Sequence, residues 1–238
     1  MMRIPAGRWL IVVLLGLVAT GCAQTRTFQA SGDFERPQGR VRVLLMPPDI
    51  ELYEIAASGM AEPRADWTAT AERNVRAALE RHLAARDAEL VEYESPGAGV
   101  ALIHPEHVQL VKLHQAVGRT ILTHKYVQEL ALPTKQGALD WTLGQNAAAL
   151  RRAYDADYAL FVNFRDSFTS TGRAAVIVVA AVLGYAVQGG HQEGFASLVH
   201  LRSGEIVWFN VLSSSGGDLR DPAMAAGATS QLLSELPL

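Results

Sequence analysis

The sequence predicts an α/β (α+β) protein in which a single mixed sheet is covered by helices. Two observations predict this class: β-rich runs alternate with amphipathic helical runs, and the last two β-rich runs have the pattern of a hairpin. The predicted order is β, α, β, α, α, β, an apolar insert, a β-hairpin and a closing helix. A chain of 238 residues buries a moderate core without disulfides. Residues 41–238 are therefore expected to form one domain.

The first strand of this domain is predicted at "VRVLL", which begins at Val41 and stops before Pro47 and Pro48. Its almost continuous apolar character predicts burial on both faces. An amphipathic helix follows Pro63, and its apolar positions recur every four residues, at Trp67, Ala71, Val75, Leu79 and Leu83. A short strand, "AELVEYE", comes next.

The middle of the domain is predicted to be helical. One helix opens at Pro105, a favoured first-turn residue, and continues to about Leu130. Its predicted inward face contains Leu110, Leu113, Val117, Ile121 and His124. A second helix is expected to begin with Asp140 as its N-cap. A turn over residues 155–157 then leads into the strand "YALFVNFRDSF".

The last part of the domain contains the hairpin pattern. Two β-rich runs within "EGFASLVHLRSGEIVWFNVLS" flank a connection over residues 202–205, and Gly204 in this connection predicts a positive φ angle. Asp221 and Pro222 have the pattern of an N-cap and a first helical residue. They predict a short closing helix that ends before Pro237.

The N-terminus has the layout of a secretory signal. Residues 1–21 contain two arginines, then an apolar stretch, then small residues. The sole cysteine, Cys22, follows Gly21 directly, and this segment resembles the lipobox of bacterial lipoproteins. The resemblance implies cleavage between Gly21 and Cys22 and lipidation of Cys22 with palmitate-type chains. Because Ala23 is not aspartate, it also implies retention at the outer membrane.

The segment after the signal is polar. Residues 22–40 contain glycine and proline without apolar periodicity, which predicts a lipidated cysteine followed by a flexible tether of about 60 Å when fully extended. Without residues 1–21 the chain has 19 basic and 24 acidic residues, a net charge of -5 with neutral histidines. This charge argues against a nucleic-acid partner.

An unbroken apolar run over residues 174–187 lies within an insert that spans residues 172–190. The run is shorter than the roughly 20 residues that a membrane-spanning helix needs. Three interpretations stay open: a buried core element, which the sequence favours, a contact with a protein partner or a second copy, and insertion into a membrane. The candidate surface residues are Val176, Ile177, Val179, Val182, Leu183 and Tyr185.

Few residues have the spacing of a catalytic or metal site. His104 and His107 are weak candidates for metal ligands, because the HExxH spacing is absent. Asp155, Asp157 and Asp166 flank a strand and are candidates for paired carboxylates, although the first two also suit a turn. The small residues of "SSSGGD" favour a loop over a phosphate site. We therefore predict no catalytic residue, no metal site and no cofactor.

Three stretches, "VRVLLMPP", "YDADYALFV" and "LVHLRSGEIVWFN", together with the lipobox, resemble a group of small Gram-negative outer-membrane lipoproteins. Their α/β domain is similar to the amino-terminal domain of TolB and to the periplasmic domain of the curli secretion-channel lipoprotein. The resemblance implies a non-enzymatic protein, anchored on the periplasmic face of the outer membrane. It would act as a scaffold, assembly or secretion-accessory factor through contacts with other envelope proteins or as a homo-oligomer.

An alternative function follows from the same resemblance. Because the curli channel inserts hairpins from its α/β domain, residues 174–187 could serve an oligomeric channel or membrane-inserting component. A periplasmic metal-binding protein or enzyme centred on His104 and His107 is less favoured.

Overall fold

The computed structural model describes residues 24–30, 40–86, 88–93 and 105–238. The strands are β1 (Gln24–Gln29), β2 (Val41–Leu45), β3 (Asp49–Ile55), β4 (Ala61–Pro63), β5 (Ala88–Glu92), β6 (Tyr158–Thr169), β7 (Gln192–His200) and β8 (Ile206–Ser214). The helices are α1 (Ala65–Ala84), α2 (Pro105–Tyr126), α3 (Ala148–Tyr154), α4 (Thr171–Val182) and α5 (Pro222–Leu232). All strands belong to one mixed sheet, which confirms the predicted fold class.

The sheet is organised around β6, its longest strand. The strand order is β1-β8-β7-β6-β2-β5. The first part of β6 pairs in parallel with β2, and its later part pairs in parallel with β3, which in turn pairs with β4. On its other side β6 pairs with β7 in the antiparallel direction over residues 158–166. The break between β2 and β3 contains the two prolines that the sequence analysis places after the first strand.

Helices cover both faces of the sheet. Val43 and Leu45 of β2 join a core cluster with residues of α1 and α5, whereas Leu44 joins a second cluster with residues of α2 and α3. Successive side chains of a strand point to opposite faces. Burial of β2 on both faces is therefore confirmed.

The helix α1 follows the prediction closely. Ala71, Val75, Leu79 and Leu83 are buried against the sheet. Trp67 is half-buried, and its ring meets Phe168 edge-on at 5.5 Å.

The helix α2 also begins at Pro105, but its predicted inward face is partly wrong. The buried residues are His107, Leu110, His114, Gly118 and Ile121, whereas Leu113 is 41% exposed. The face turns this way because His114 and Gly118 fit the sheet. His114 stacks on Phe161 with ring centroids 3.9 Å apart, and a Cβ atom at Gly118 would lie 2.6 Å from Phe195.

The prediction that Asp140 caps a helix is wrong. The carboxylate of Asp140 instead lies 3.1 Å from the Lys135 ammonium. The chain at Thr142 is extended and forms a β-bridge with Glu205, and the helical turns begin only after Gly144. The backbone pairing of the hairpin with this segment therefore displaces the start of the helix.

The hairpin and the closing helix are confirmed. Gly204 has a φ of 77°, and a Cβ atom there would lie 2.1 Å from the Gly144 carbonyl oxygen, so the connection requires glycine. Asp221 accepts hydrogen bonds from the backbone N–H groups of Ala223 and Met224, both at 2.9 Å, and Pro222 is the first helical residue.

The segment expected to be a flexible tether differs at its start. Gln24–Gln29 form the edge strand β1, which pairs with β8 from Gln24↔Ser213 to Gln29↔Trp208. Phe28 holds this strand on the domain, since its ring meets Tyr126 edge-on at 5.1 Å and lies under the Lys125 ammonium. Phe28 is the one apolar residue of this segment, and a single aromatic residue among polar ones was too weak a signal to predict a strand.

Candidate functional site

The apolar insert forms the helix α4, which projects from the end of the sheet between β6 and β7. No residue of α4 is buried. Interpretation of the run as a core element is therefore wrong. The five most exposed large side chains of the insert form what we call the α4 surface: Val178 (64%), Val179 (60%), Val182 (82%), Leu183 (67%) and Tyr185 (70%). Val176 is also exposed, and Ile177 is half-buried.

Local signals explain why this valine-rich segment is helical. The hydroxyl of Ser170 accepts a hydrogen bond from the Arg173 backbone N–H at 3.1 Å, which caps the first turn. Four alanines within the helix offset the lower helix propensity of its β-branched residues. The helix ends at Val182 with Leu183 as its C-cap, and Gly184 follows with a φ of 82°, a value that favours glycine.

One side of α4 rests on the domain. Arg173, Ile177 and Ala180 are half-buried and lie one turn apart on the same side. The Arg173 guanidinium donates to the Gln188 carbonyl oxygen at 3.2 Å. From residue 174 to residue 187 the chain has no charged side chain. The rest of the circumference of α4 is therefore an uncharged apolar surface.

The length of α4 limits what it can do in a membrane. Twelve residues at about 1.5 Å per residue give a helix of about 18 Å, whereas the hydrocarbon core of a bilayer is about 30 Å thick. Within the described ranges, no helix is long and apolar enough to cross a membrane.

The position of α4 in the fold is set by strand register. Gln24 of β1 pairs with Ser213, Ser213 pairs with Glu193, and Glu193 pairs with Arg165 of β6. This row crosses the sheet from its β1 edge to β6. Beyond Arg165, β6 continues to Thr169 and then enters α4. Because β1 runs opposite to β6, the start of β1 and α4 lie at the same end of the sheet.

The residues predicted for lipidation and cleavage, Gly21 and Cys22, lie outside the described residues, and so does His104. His107 is buried on α2, with its ring 6.0 Å from the rings of Tyr93 and Tyr154. Across the described parts of the chain, no cluster of three or more histidine, cysteine or acidic side chains suits a metal ion.

The three candidate aspartates are not brought together. Asp155 pairs with the Arg42 side chain, and Asp157 accepts from the Arg42 backbone N–H at 3.2 Å. Asp166 is buried farther along β6, where it accepts from the Gln192 side-chain amide at 3.0 Å and the Leu219 backbone N–H at 3.3 Å. Burial raises the pKa of Asp166 to about 6.

The loop "SSSGGD" leads into a cation–aromatic stack. Both carboxylate oxygens of Asp218 accept from the Arg220 guanidinium at 2.8 Å. The guanidinium carbon of Arg220 lies 4.3 Å from the Trp67 ring centroid and 3.9 Å from that of Phe168. The loop therefore holds Arg220 against two rings that belong to the edge of the core.

A cleft of about 450 Å³, lined by polar and apolar side chains of α2, β3, β6 and β7, was not predicted from the sequence. Asp49 lies beside it and accepts from the side-chain amides of Gln115 and Asn163, both at 2.9 Å. The Arg165 guanidinium donates to the Asp49 carboxylate at 2.9 Å and lies 3.2 Å from Glu51. The alternation of polar residues in "DIELYEI" carried the signal for this polar face. The carboxylate of Asp49 is thus occupied by the protein's own donors.

Comparisons with known proteins find matches among solved structures. No family model and no curated protein matches the chain. A PelC dodecamer from Paraburkholderia phytofirmans superposes with a TM-score of 0.41 and 11% identity, over 90% of this chain and 96% of that chain. A point variant of that dodecamer has a TM-score of 0.38 and 12% identity over the same shares. Scores below 0.5 do not establish a shared fold or function, and the resemblance to the TolB domain stays a prediction.

Proposed function

We propose that this protein is a non-enzymatic, lipid-anchored lipoprotein on the periplasmic face of the outer membrane, and that it acts through contacts made by the α4 surface. The observation that carries the proposal is the exposure of α4. Soluble monomeric proteins rarely expose a contiguous apolar patch of this kind, and such patches mark interaction sites. The α4 surface is contiguous, uncharged and raised above the end of the sheet.

The rest of the domain supports a role for α4 outside the core. Large apolar side chains such as Trp208, Phe164 and Phe209 are fully buried, so both faces of the sheet have their own cores without α4. A Val182 side chain that is 82% exposed adds little to folding stability. Retention of such a surface in an exported protein is explained by a partner that covers it.

The anchoring part of the proposal rests on the sequence. The secretory signal and Cys22 resemble a lipoprotein export signal, and Ala23 fits retention at the outer membrane. Metabolic labelling with a palmitate analogue tests this part. We expect label on the wild-type chain and none on Cys22→Ala; label on both proteins would contradict an anchor at Cys22.

The non-enzymatic part rests on how the polar side chains are used. The Asp49 carboxylate accepts hydrogen bonds from side-chain amides of the protein itself. The buried side chains of His114 on α2 and Ser197 on β7 form a hydrogen bond of 2.6 Å with each other. Pairing of this kind is typical of buried polar groups with a structural role.

The contact role is tested with the domain made without lipid, residues 23–238, which contain every described element. We expect the wild-type domain to associate with liposomes or with itself, as measured by flotation and light scattering. A Val179→Asp and Val182→Asp double variant should be a monomer that does not float, with unchanged circular dichroism. Met224→Asp is the matched control, because Met224 is 55% exposed at a different place, on α5.

The control variant should behave as the wild-type domain does. A wild-type domain that is already a monomer and ignores liposomes would contradict the contact role, because the α4 surface would then be stable in water by itself. Association that persists in the double variant would place the contact elsewhere on the domain.

A further inference from the structure

We infer that the partner of the α4 surface is the bilayer itself: α4 lies in the lipid surface that holds the acyl chains of Cys22. This inference rests on the proposed function and names the partner of the same surface.

Chain length places the anchor close to the domain. Cys22 precedes Gln24, the first residue of β1, by two positions. At about 3.3–3.6 Å per residue, its Cα atom lies within about 7 Å of the Gln24 Cα atom in any conformation. A flexible tether would allow about 60 Å between the lipidated residue and the domain, whereas two residues allow only about 7 Å. A lipidated Cys22 would hold this end of the sheet against the membrane.

Strand register places α4 at the same end. Three strand spacings, about 14 Å, separate the start of β1 from β6 along the row from Gln24 to Arg165. From Arg165, β6 extends four residues farther toward the side from which Cys22 enters and then turns into α4 at Thr171. An anchor at Cys22 and the helix α4 therefore face the same plane.

The chemistry of α4 fits lipid better than a single protein face. The exposed residues Val176 and Val178 lie about 160° apart around the helix, with Val179 between them, so the apolar surface extends well around its circumference. A protein partner covers one side, whereas hydrocarbon covers all sides that the domain leaves free. Tyr185 follows the helix with 70% exposure, and tyrosine is enriched where lipid chains meet headgroups.

The geometry also excludes a spanning arrangement for α4. Its length of about 18 Å suits a helix that lies in the plane of the membrane. Helices of that kind turn a polar face away from the lipid, and in α4 the side that rests on the domain takes the place of that face. With two attachments at one end of the sheet, the opposite end, which carries the β7–β8 connection, points away from the bilayer.

The experiment uses the full chain, processed and lipidated, in vesicles of phosphatidylethanolamine and phosphatidylglycerol with brominated acyl chains. Cys22 is the sole native cysteine, so an added cysteine is the only free thiol once Cys22 carries lipid. An environment-sensitive fluorophore is attached to Val182→Cys on α4. The matched control is Arg202→Cys in the β7–β8 connection. Mass spectrometry of the N-terminal peptide reports whether Cys22 is lipidated.

We expect brominated lipid to quench most of the fluorescence at position 182, with a blue-shifted emission, and to leave position 202 unchanged. Adding Val179→Asp should reduce the quenching at 182. Equal, low quenching at 182 and 202 would overturn the inference.

An aqueous quencher separates the two failures. If position 182 is shielded from iodide but not quenched by brominated lipid, a protein covers α4; the contact role survives and the bilayer is the wrong partner. If iodide reaches position 182 in the vesicle-bound protein, nothing covers α4, and both the inference and the proposed contact role are wrong.

Discussion

The helices α2 and α4 use hydrophobicity in opposite ways. The helix α2 is only moderately apolar, yet it buries His107, His114 and Gly118 against the sheet and leaves Leu113 in water. The helix α4 is uncharged after Arg173, yet none of its residues is buried. The difference shows that the burial of a helix depends on its position relative to the sheet, and not only on its hydropathy. The helix α2 crosses a free sheet face, whereas α4 projects beyond the end of β6.

The strongest way to break this comparison is a charge on each helix. Ile121→Asp on α2 would bury an unpaired carboxylate at a fully buried site, which costs about 3–5 kcal/mol. Val179→Asp on α4 places the same carboxylate in water, and surface changes stay within about 0.5 kcal/mol. Thermal or urea unfolding of the unlipidated domain measures both.

The conservative change Ile121→Val is the control for that pair, and we expect a loss of about 0.5–1.5 kcal/mol. A Val179→Asp domain that unfolds as Ile121→Asp does would mean that α4 belongs to the core after all.

The second test concerns small residues within helices. At Gly118 an added methyl group would lie 2.6 Å from the Phe195 ring, which itself stacks on Phe209 at 5.4 Å. We expect Gly118→Ala to lower the free energy of unfolding by about 1–3 kcal/mol through overpacking. Gly227→Ala on α5 meets no atom within 4 Å, and it should stabilise the domain by up to about 1 kcal/mol. Equal effects in denaturant unfolding would argue against close packing of α2 on β7.

The third test is a pH dependence of stability to which α2 should contribute and α4 should not. Burial lowers the pKa of His114 from 6.5 to about 3. The unfolded chain therefore binds a proton at this residue below about pH 6.5, while the folded protein stays neutral there. The contribution of His114 to stability is fully present above pH 6.5 and declines by about 1.4 kcal/mol per pH unit down to about pH 3.

The His114→Gln variant isolates this contribution, because it cannot take up the proton. The raised pKa of Asp166 acts in the opposite direction, since its folded form keeps a proton up to about pH 6 and so gains stability as the pH falls. This effect is the same in both proteins and cancels in the difference. Parallel stability curves for wild type and His114→Gln between pH 7 and pH 4 would contradict the burial of a neutral His114.

Much of the fold is predictable because it depends on local signals. Apolar, β-rich runs identify β2, β6 and the hairpin, and four-residue spacing identifies α1. Asp221 and Gly204 identify a cap and a turn without reference to any distant residue. The inward face of α2 was not predictable from hydropathy, because His114 is buried only where Ser197 and Phe161 are present to receive it.

The candidate site divides in the same way. The sequence by itself determined that residues 174–187 are apolar and uncharged, that Cys22 follows a segment with the layout of a secretory signal, and that the domain is α/β. Only the tertiary structure decided that the run is an exposed helix, that β1 begins two residues after Cys22, and that both lie at one end of the sheet. The reason is physical: hydrophobicity belongs to a residue, whereas exposure and proximity depend on strand register across the sheet.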